Sequence, residues 1–181
     1  MLNIAEAVLC LRRGGVIAYP TEAVFGLGCD PNNETAALHL LALKKRPMHK
    51  GLILVAAHTQ QLNEFVAPEV WLDYPHTVAS WPGPHTWLVP CRSDAPAWLT
   101  GEHTKLAVRI SAHPVVRELC NAFGGAIIST SANISDAPPA RNATEVIAQF
   151  PQQLSGIVIG ETGGNGNVTT IHDAVTGQQL R

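Results

Sequence analysis

Four of the twelve lysines and arginines, Lys44, Lys45, Arg46 and Lys50, fall within seven consecutive residues, and three of the four lysines are among them. The formal net charge is -2, so they form a cationic island in a slightly acidic chain. The run Ser129-Thr130-Ser131-Ala132-Asn133-Ile134-Ser135 offers hydroxyls and an amide, and Thr169-Thr170 offers more hydroxyls. Together these groups make an anion cradle, the equipment that holds phosphates. Arg109 stands in the apolar run Leu106-Ala107-Val108-Arg109-Ile110. An arginine there is costly unless it is paired or faces an anion, so a structural ion pair and a ligand contact are both open. Glu22 could be a base or a magnesium ligand, although a lone loop carboxylate is more often simply solvated. His113, just before Pro114, could exchange protons, although a histidine at a helix N-terminus is more often a local cap.

Several chemistries are excluded by what is missing. The dipeptide Gly-Lys does not occur, so there is no P-loop, and no GxGxxG follows a strand. There is no GxSxG elbow, and Ser129 and Ser131 have no neighbouring His or Asp at a telling spacing. Eight histidines and four cysteines contain neither HExxH nor zinc spacing, so no structural metal is expected. Cys10, Cys29, Cys91 and Cys120 lie far apart, the pattern of reduced thiols in a cytoplasmic protein.

The elements that must position these groups can be read in order. Residues 3–13 form an amphipathic helix with Asn3 and Glu6 at capping-box spacing, a stripe of Ile4, Ala7, Val8 and Leu11, and Gly14 as its stop. Val16 to Tyr19 reads as a strand halted by Pro20, with Thr21-Glu22 at its end and Phe25-Gly26-Leu27-Gly28 as a loop that needs close backbone approach. A helix over residues 34–45, with Leu38, Leu41 and Ala42 at helical spacing, carries the island at its C-terminus, where the helix dipole favours cations and Pro47 forbids continuation. Residues 52–56 form a buried strand, and 58–81 two short helices broken at Pro68. Trp81-Pro82-Gly83-Pro84-His85-Thr86 is a rigid turn before strands at 87–89 and 106–110. A helix opens at Pro114 and ends at Gly124-Gly125, a strand begins at Ala126, and Asn142 and Glu145 cap a short helix to Phe150. Residues 156–159 are a last buried strand, followed by a glycine-rich loop over 160–167 and an edge strand over 168–171.

This alternation makes the class α/β with a mixed, largely buried sheet, in one domain spanning 1–181. Ligands of such sheets gather beyond strand ends, and Thr21-Glu22, the island, residues 129–135 and Thr169-Thr170 all lie at such ends. Charged residues are only 14% of the chain against about 25% usually, which argues against a general nucleic-acid clamp and requires any anion to be held locally. No apolar run approaches the ~20 residues of a membrane span, and the first residues lack the order of a signal peptide.

Taken as an ordered series, Tyr19-Pro-Thr-Glu with Phe25-Gly-Leu-Gly28, Lys44-Lys45-Arg46-Pro47, Trp81-Pro-Gly-Pro-His-Thr86, Ala107-Val-Arg109 and Ser129-Thr-Ser-Ala-Asn133 resemble the signature set of the YrdC-like family, up to Asp173. The likeness is to its short, single-domain bacterial form. The resemblance implies an open twisted sheet with flanking helices and a deep cationic concavity. It also implies a nucleotidyltransferase activity in which L-threonine, bicarbonate and ATP give threonylcarbamoyl-adenylate and pyrophosphate. A downstream complex then transfers the threonylcarbamoyl group to the adenosine beside the anticodon in tRNAs reading codons that begin with A.

By residue-to-residue matching, Lys44, Arg46, Ser131 and Asn133 would hold the ATP phosphates and carry the catalysis, while Thr21, Lys50, Arg109, Ser129 and Thr169 would hold threonine. Lys50 stands where longer relatives often have His or Asn, and Thr169 where Ser is common; both keep a donor. Magnesium is expected with the nucleotide, bound mostly by substrate oxygens and water, with no protein ligand to name. The longer relatives' extra C-terminal domain is absent, so what closes over the nucleotide there would be replaced here by the chain's own loops, or by nothing. The resemblance leaves room for weak tRNA or RNA binding. The rival readings are an RNA-binding ribosome-maturation factor using the same concavity and a carbamoyl-transfer domain acting on another carbamate.

Overall fold

A computed structural model describes residues 1–164 and 169–181. In chain order the elements are α1 (Ile4–Arg12), β1 (Ile17–Pro20), β2 (Phe25–Gly28), α2 (Glu34–Leu43), β3 (Ile53–Ala56), α3 (Val70–Asp73) and α4 (Pro75–Ala79). There follow β4 (His85–Pro90), α5 (Ala97–Thr100), β5 (Lys105–Ile110), α6 (Pro114–Phe123), β6 (Ile127–Ser131), α7 (Ala143–Gln149), β7 (Gly156–Ile157) and β8 (Thr170–Asp173). Short 3-10 turns occupy Met48–Lys50 and Thr59–Leu62.

Local signals explain the longer helices. Asn3 accepts from the Glu6 N–H at 3.0 Å and Glu6 returns the bond to the Asn3 N–H at 2.8 Å, a complete capping box on α1. Asn33 and Asn142 cap α2 and α7 through the N–H groups of Ala36 and Glu145, both at 2.9 Å. Proline opens α6, and Gly124 closes it in the left-handed conformation.

Several expectations change. The run Phe25-Gly26-Leu27-Gly28 is not a loop but strand β2, paired antiparallel with β1 from Ile17–Gly28 to Pro20–Phe25. Close approach is real, however: a Cβ on Gly28 would lie 2.4 Å from the Ile128 carbonyl oxygen, so glycine is what lets β2 lie against its neighbours. Residues 58–81 hold three short helical pieces, because Pro75 interrupts as well as Pro68. On α2 the buried residues are Ala36, Ala37, Leu40 and Leu41, while Leu38 and Ala42 face outward. The last part of the expected 160–167 loop and the start of the 168–171 strand lie outside the described residues; β8 takes up the edge position from Thr170.

Among the described residues the strands form one eight-stranded mixed sheet in the order β7-β1-β2-β6-β3-β5-β4-β8. One face packs α2, α5 and the 59–79 segment over Leu27, Leu54, Leu106, Val108 and Ile128. The other packs α1 and α6 over Ile17, Tyr19, Val55 and Ile127, with Leu11, Val116 and Leu119 supplied by the helices. No helix among the described residues is long and apolar enough to cross a membrane.

Candidate active site

The two-residue period of the strands decides which side chains meet on the α1/α6 face. Lys105, Ala107 and Arg109 share one side of β5. Register sets Ile53 of β3 opposite Ala107 on one flank and Ser129 of β6 on the other. Leu88 of β4 faces Ala107, and Gly26 of β2 faces Ser131. The part of this face that α1 and α6 leave open is a cavity of about 470 Å³. Thr21, Arg46, Lys50, Arg109, Ser129, Ser131 and Thr169, seven of the nine expected site residues, line it. Gly26 keeps its floor open, since a Cβ there would crowd Thr21, the Tyr19 ring and Ser129 at 3.3–3.4 Å.

The other two, Lys44 and Asn133, are not on the cavity wall. Lys44 is only 4% exposed. Its three ammonium protons have three acceptors: the carbonyl of Ser131, the carbonyl of Asn133 at 2.8 Å and Asn133 Oδ1 at 3.3 Å. Asn133 is equally committed. Its Oδ1 also accepts from Ser131 Oγ at 2.6 Å, and its Nδ2 donates to the carbonyls of Ile134 and Ala137. In return Ser135 caps the end of α2, its hydroxyl donating to the Lys44 carbonyl at 2.8 Å. The basic island and the 131–135 segment are therefore clasped from both directions. Burial, and secondarily the charge of Arg46, pull the Lys44 ammonium down to about 8.

Arg46 is hung on its own turn, with Nε and Nη2 donating to the Gly51 carbonyl at 3.3 and 3.1 Å, and Nη1 makes no hydrogen bond to the described residues. Burial, then the charge of Arg181, lowers its pKa. Arg181 is a cavity residue that sequence reasoning missed. The Asp173 carboxylate accepts the N–H groups of Val175 and Thr176, turning the chain so that residues 178–181 run back along β8. Ile171 exchanges backbone bonds with Leu180 and Arg181, and the Arg181 guanidinium donates to the Thr169 carbonyl at 3.1 Å. The turn residues Thr176-Gly177 were the available signal. Burial and the nearby Arg109 lower the pKa of Arg181 in turn, so three guanidiniums share one hollow. Lys105, also missed, lines the wall and pairs with Asp173 at 2.5 Å.

Glu22 is not a solvated carboxylate. It is 6% exposed, accepts from Ser111 Oγ at 2.7 Å and the Ala112 N–H at 3.0 Å, and lies 3.5 Å from Arg109 Nη2. Burial opposes its charge, but Arg109, Ser111 and backbone donors outweigh it and leave the carboxyl below its ordinary range. His113 makes no side-chain cap; its Nε2 meets the Glu161 carbonyl at 3.0 Å. No group of three His, Cys, Asp or Glu side chains gathers among the described residues, and no Asp or Glu is among those that line the cavity. Among the described residues the wall thus offers no ligand set for a magnesium ion.

Comparison with known proteins agrees with this architecture. A family model described as telomere recombination, covering Sua5, YciO and YrdC, matches residues 10–181. A threonylcarbamoyl-AMP synthase of Stenotrophomonas maltophilia (strain K279a) is 52% identical over 182 residues, covering 99% of this chain and 98% of that one. Among solved structures, P. abyssi Sua5 complexed with L-threonine superposes with a TM-score of 0.86 at 30% identity, over 94% of this chain; the chain spans 50% of that protein's length. E. coli YciO shares the fold, with a TM-score of 0.78 at 22% identity, over 94% of this chain and 82% of that one.

Proposed function

The chain belongs to the Sua5, YciO and YrdC family, and on that premise we propose that it forms threonylcarbamoyl-AMP and pyrophosphate from L-threonine, bicarbonate and ATP. The observation that carries the reading is the convergence of Arg46, Arg109 and Arg181 with the hydroxyls of Thr21, Ser129, Ser131 and Thr169 on one cavity. Both reactants are anionic where they must meet. Threonine and bicarbonate give a carbamate with loss of water. A carbamate oxygen then bonds to the α-phosphorus as the bond from that phosphorus to the pyrophosphate oxygen breaks. The barrier a protein can lower here is charge repulsion, which fixed cations and donors in a recessed site reduce.

In this reading Arg109 takes the threonine carboxylate as a two-pronged donor, with Thr21, Ser129, Thr169 and Lys50 around the rest of the amino acid. Arg46, Arg181 and Ser131 face the phosphates. Lys44 and Asn133, assigned to the nucleotide by motif, serve it from behind the wall by holding the Ser131 strand end and the Arg46 turn in register. Magnesium would reach the site on the triphosphate, held by substrate oxygens and water. In this reading the adenylate passes to a threonylcarbamoyl-transfer complex acting on tRNA, the protein works in the cytoplasm, and residues 1–181 act as one domain.

Pyrophosphate release separates this from its rivals. Release that requires both threonine and bicarbonate is expected. Release without threonine would indicate another carbamate as substrate, and no release with retained RNA binding would favour an RNA-binding factor. The low charge density speaks against the last, since several phosphate contacts would consume much of the chain's stock of twelve cations.

A further inference from the structure

Glu22 and Arg109 are both buried, yet they do not form the saturated pair that burial usually demands. One oxygen of Glu22 is fixed by Ser111 Oγ and the Ala112 N–H, immediately beyond the end of β5. The other, Oε2, stands 3.5 Å from Arg109 Nη2 and makes no hydrogen bond to the described residues, and neither does Arg109 Nε. A two-pronged bond at full contact would spend the guanidinium fork on the protein itself. A lone buried guanidinium would be severely destabilising. The observed spacing does neither: charge is compensated while donors stay available on a side chain that lines the cavity.

We infer that Glu22 is the positioning residue for Arg109, holding the guanidinium from behind by charge and tuning the site to an amino acid, whose net charge is zero, over a simple carboxylate anion. Glu22 itself does not line the cavity, so it acts through Arg109. With the pair close to neutral, a carboxylate is recognised by directed hydrogen bonds and not by unbalanced positive charge, and the residual field of Glu22 favours a ligand that also carries an ammonium group. This rests on the reading that Arg109 binds the threonine carboxylate.

The test compares L-threonine with 3-hydroxybutyrate, the same molecule without its α-amine, in threonine-dependent pyrophosphate release by the full chain. In Glu22→Gln the KM for threonine should rise by about tenfold or more, while 3-hydroxybutyrate should inhibit more tightly than in the wild type. Glu22→Asp, which keeps the charge, should recover much of the threonine affinity and of the discrimination. If both ligands weaken in parallel in folded Glu22→Gln, or if neither changes, the inference is overturned. Arg109→Lys separates this failure from a wrong site. A threonine KM sensitive to Arg109 but not to Glu22 removes only the role of Glu22, whereas insensitivity to Arg109 removes the threonine subsite as well.

Discussion

An arginine can hold a ligand only with donors its own protein has left free, and the guanidiniums of this cavity differ in that respect. Arg109 is restrained by charge, and Arg46 by the carbonyls of Gly51 and Lys50 through Nε and Nη2, so each keeps donors for substrate. Arg109→Lys should raise the threonine KM by roughly 10- to 100-fold with a smaller effect on kcat, as expected when a two-pronged charged contact worth about 1.5–3 kcal/mol is lost. Lys44 is the opposite case, with every proton bound inside the protein. Its folded pKa, about 8, lies below its ordinary 10.5, so between those values the unfolded chain binds more protons and stability rises with pH. Denaturation midpoints measured at pH 7.5 and 10 should therefore climb more in the wild type than in Lys44→Met. Activity should move the other way, falling above pH 8 as the neutral amine loses one of its three donors; a Lys44→Arg profile without that alkaline limb would tie the loss to this group.

At the scale of elements, the site depends on two loops that brace each other. The Met48–Lys50 turn and the 99–102 segment are joined by Leu52 N–H to the Leu99 carbonyl and Glu102 N–H to the His49 carbonyl. Gly101 has φ +62°, and a Cβ there would stand 2.2 Å from the His49 carbonyl oxygen. Gly101→Ala should push that turn, and with it the Gly51 carbonyl that carries Arg46. We expect a fall in kcat/KM for ATP of at least about tenfold, with the far-ultraviolet circular dichroism unchanged, because the strain is confined to a loop. Much at this scale was legible in sequence. Asparagine caps, Pro114 and the period-two run around Arg109 fixed α1, α6, α7 and β5, since those signals act within a few residues. The strand β2 was not legible, because Gly26 and Gly28 lower local strand preference and only the packed neighbours, Tyr19 and the Ile128 carbonyl, show why they are there. Glu22 was misjudged for a related reason: its partners Arg109, Ser111 and Ala112 are nearly ninety residues away. Arg181 was missed because no motif marks it, and the turn signal at Thr176-Gly177 does not by itself say that the tail folds back on β8.

For the whole molecule, a net charge of -2 coexists with a cavity lined by arginines, so attraction for nucleotide is local and not a property of the surface at large. Raising ionic strength from about 0.05 to 0.5 M should reduce kcat/KM for ATP severalfold while leaving the threonine KM much less changed, because threonine carries no net charge. Core and site are separable in the same way. Leu119 is fully buried on α6, against the covered half of the face, so Leu119→Ala should cost about 2–5 kcal/mol in denaturant titrations without a matching rise in either KM.

The wall formed by Thr169, Ile171 and Arg181 hangs from the sheet through β8, which among the described residues pairs with the single strand β4 over four residue pairs. Part of the pocket is thus built on the rim of the sheet, whereas the floor is cut into its centre. Natural variation or laboratory selection could reshape that edge to admit bulkier or differently charged guests while the central strands hold the fold, and engineering of substrate range should begin there.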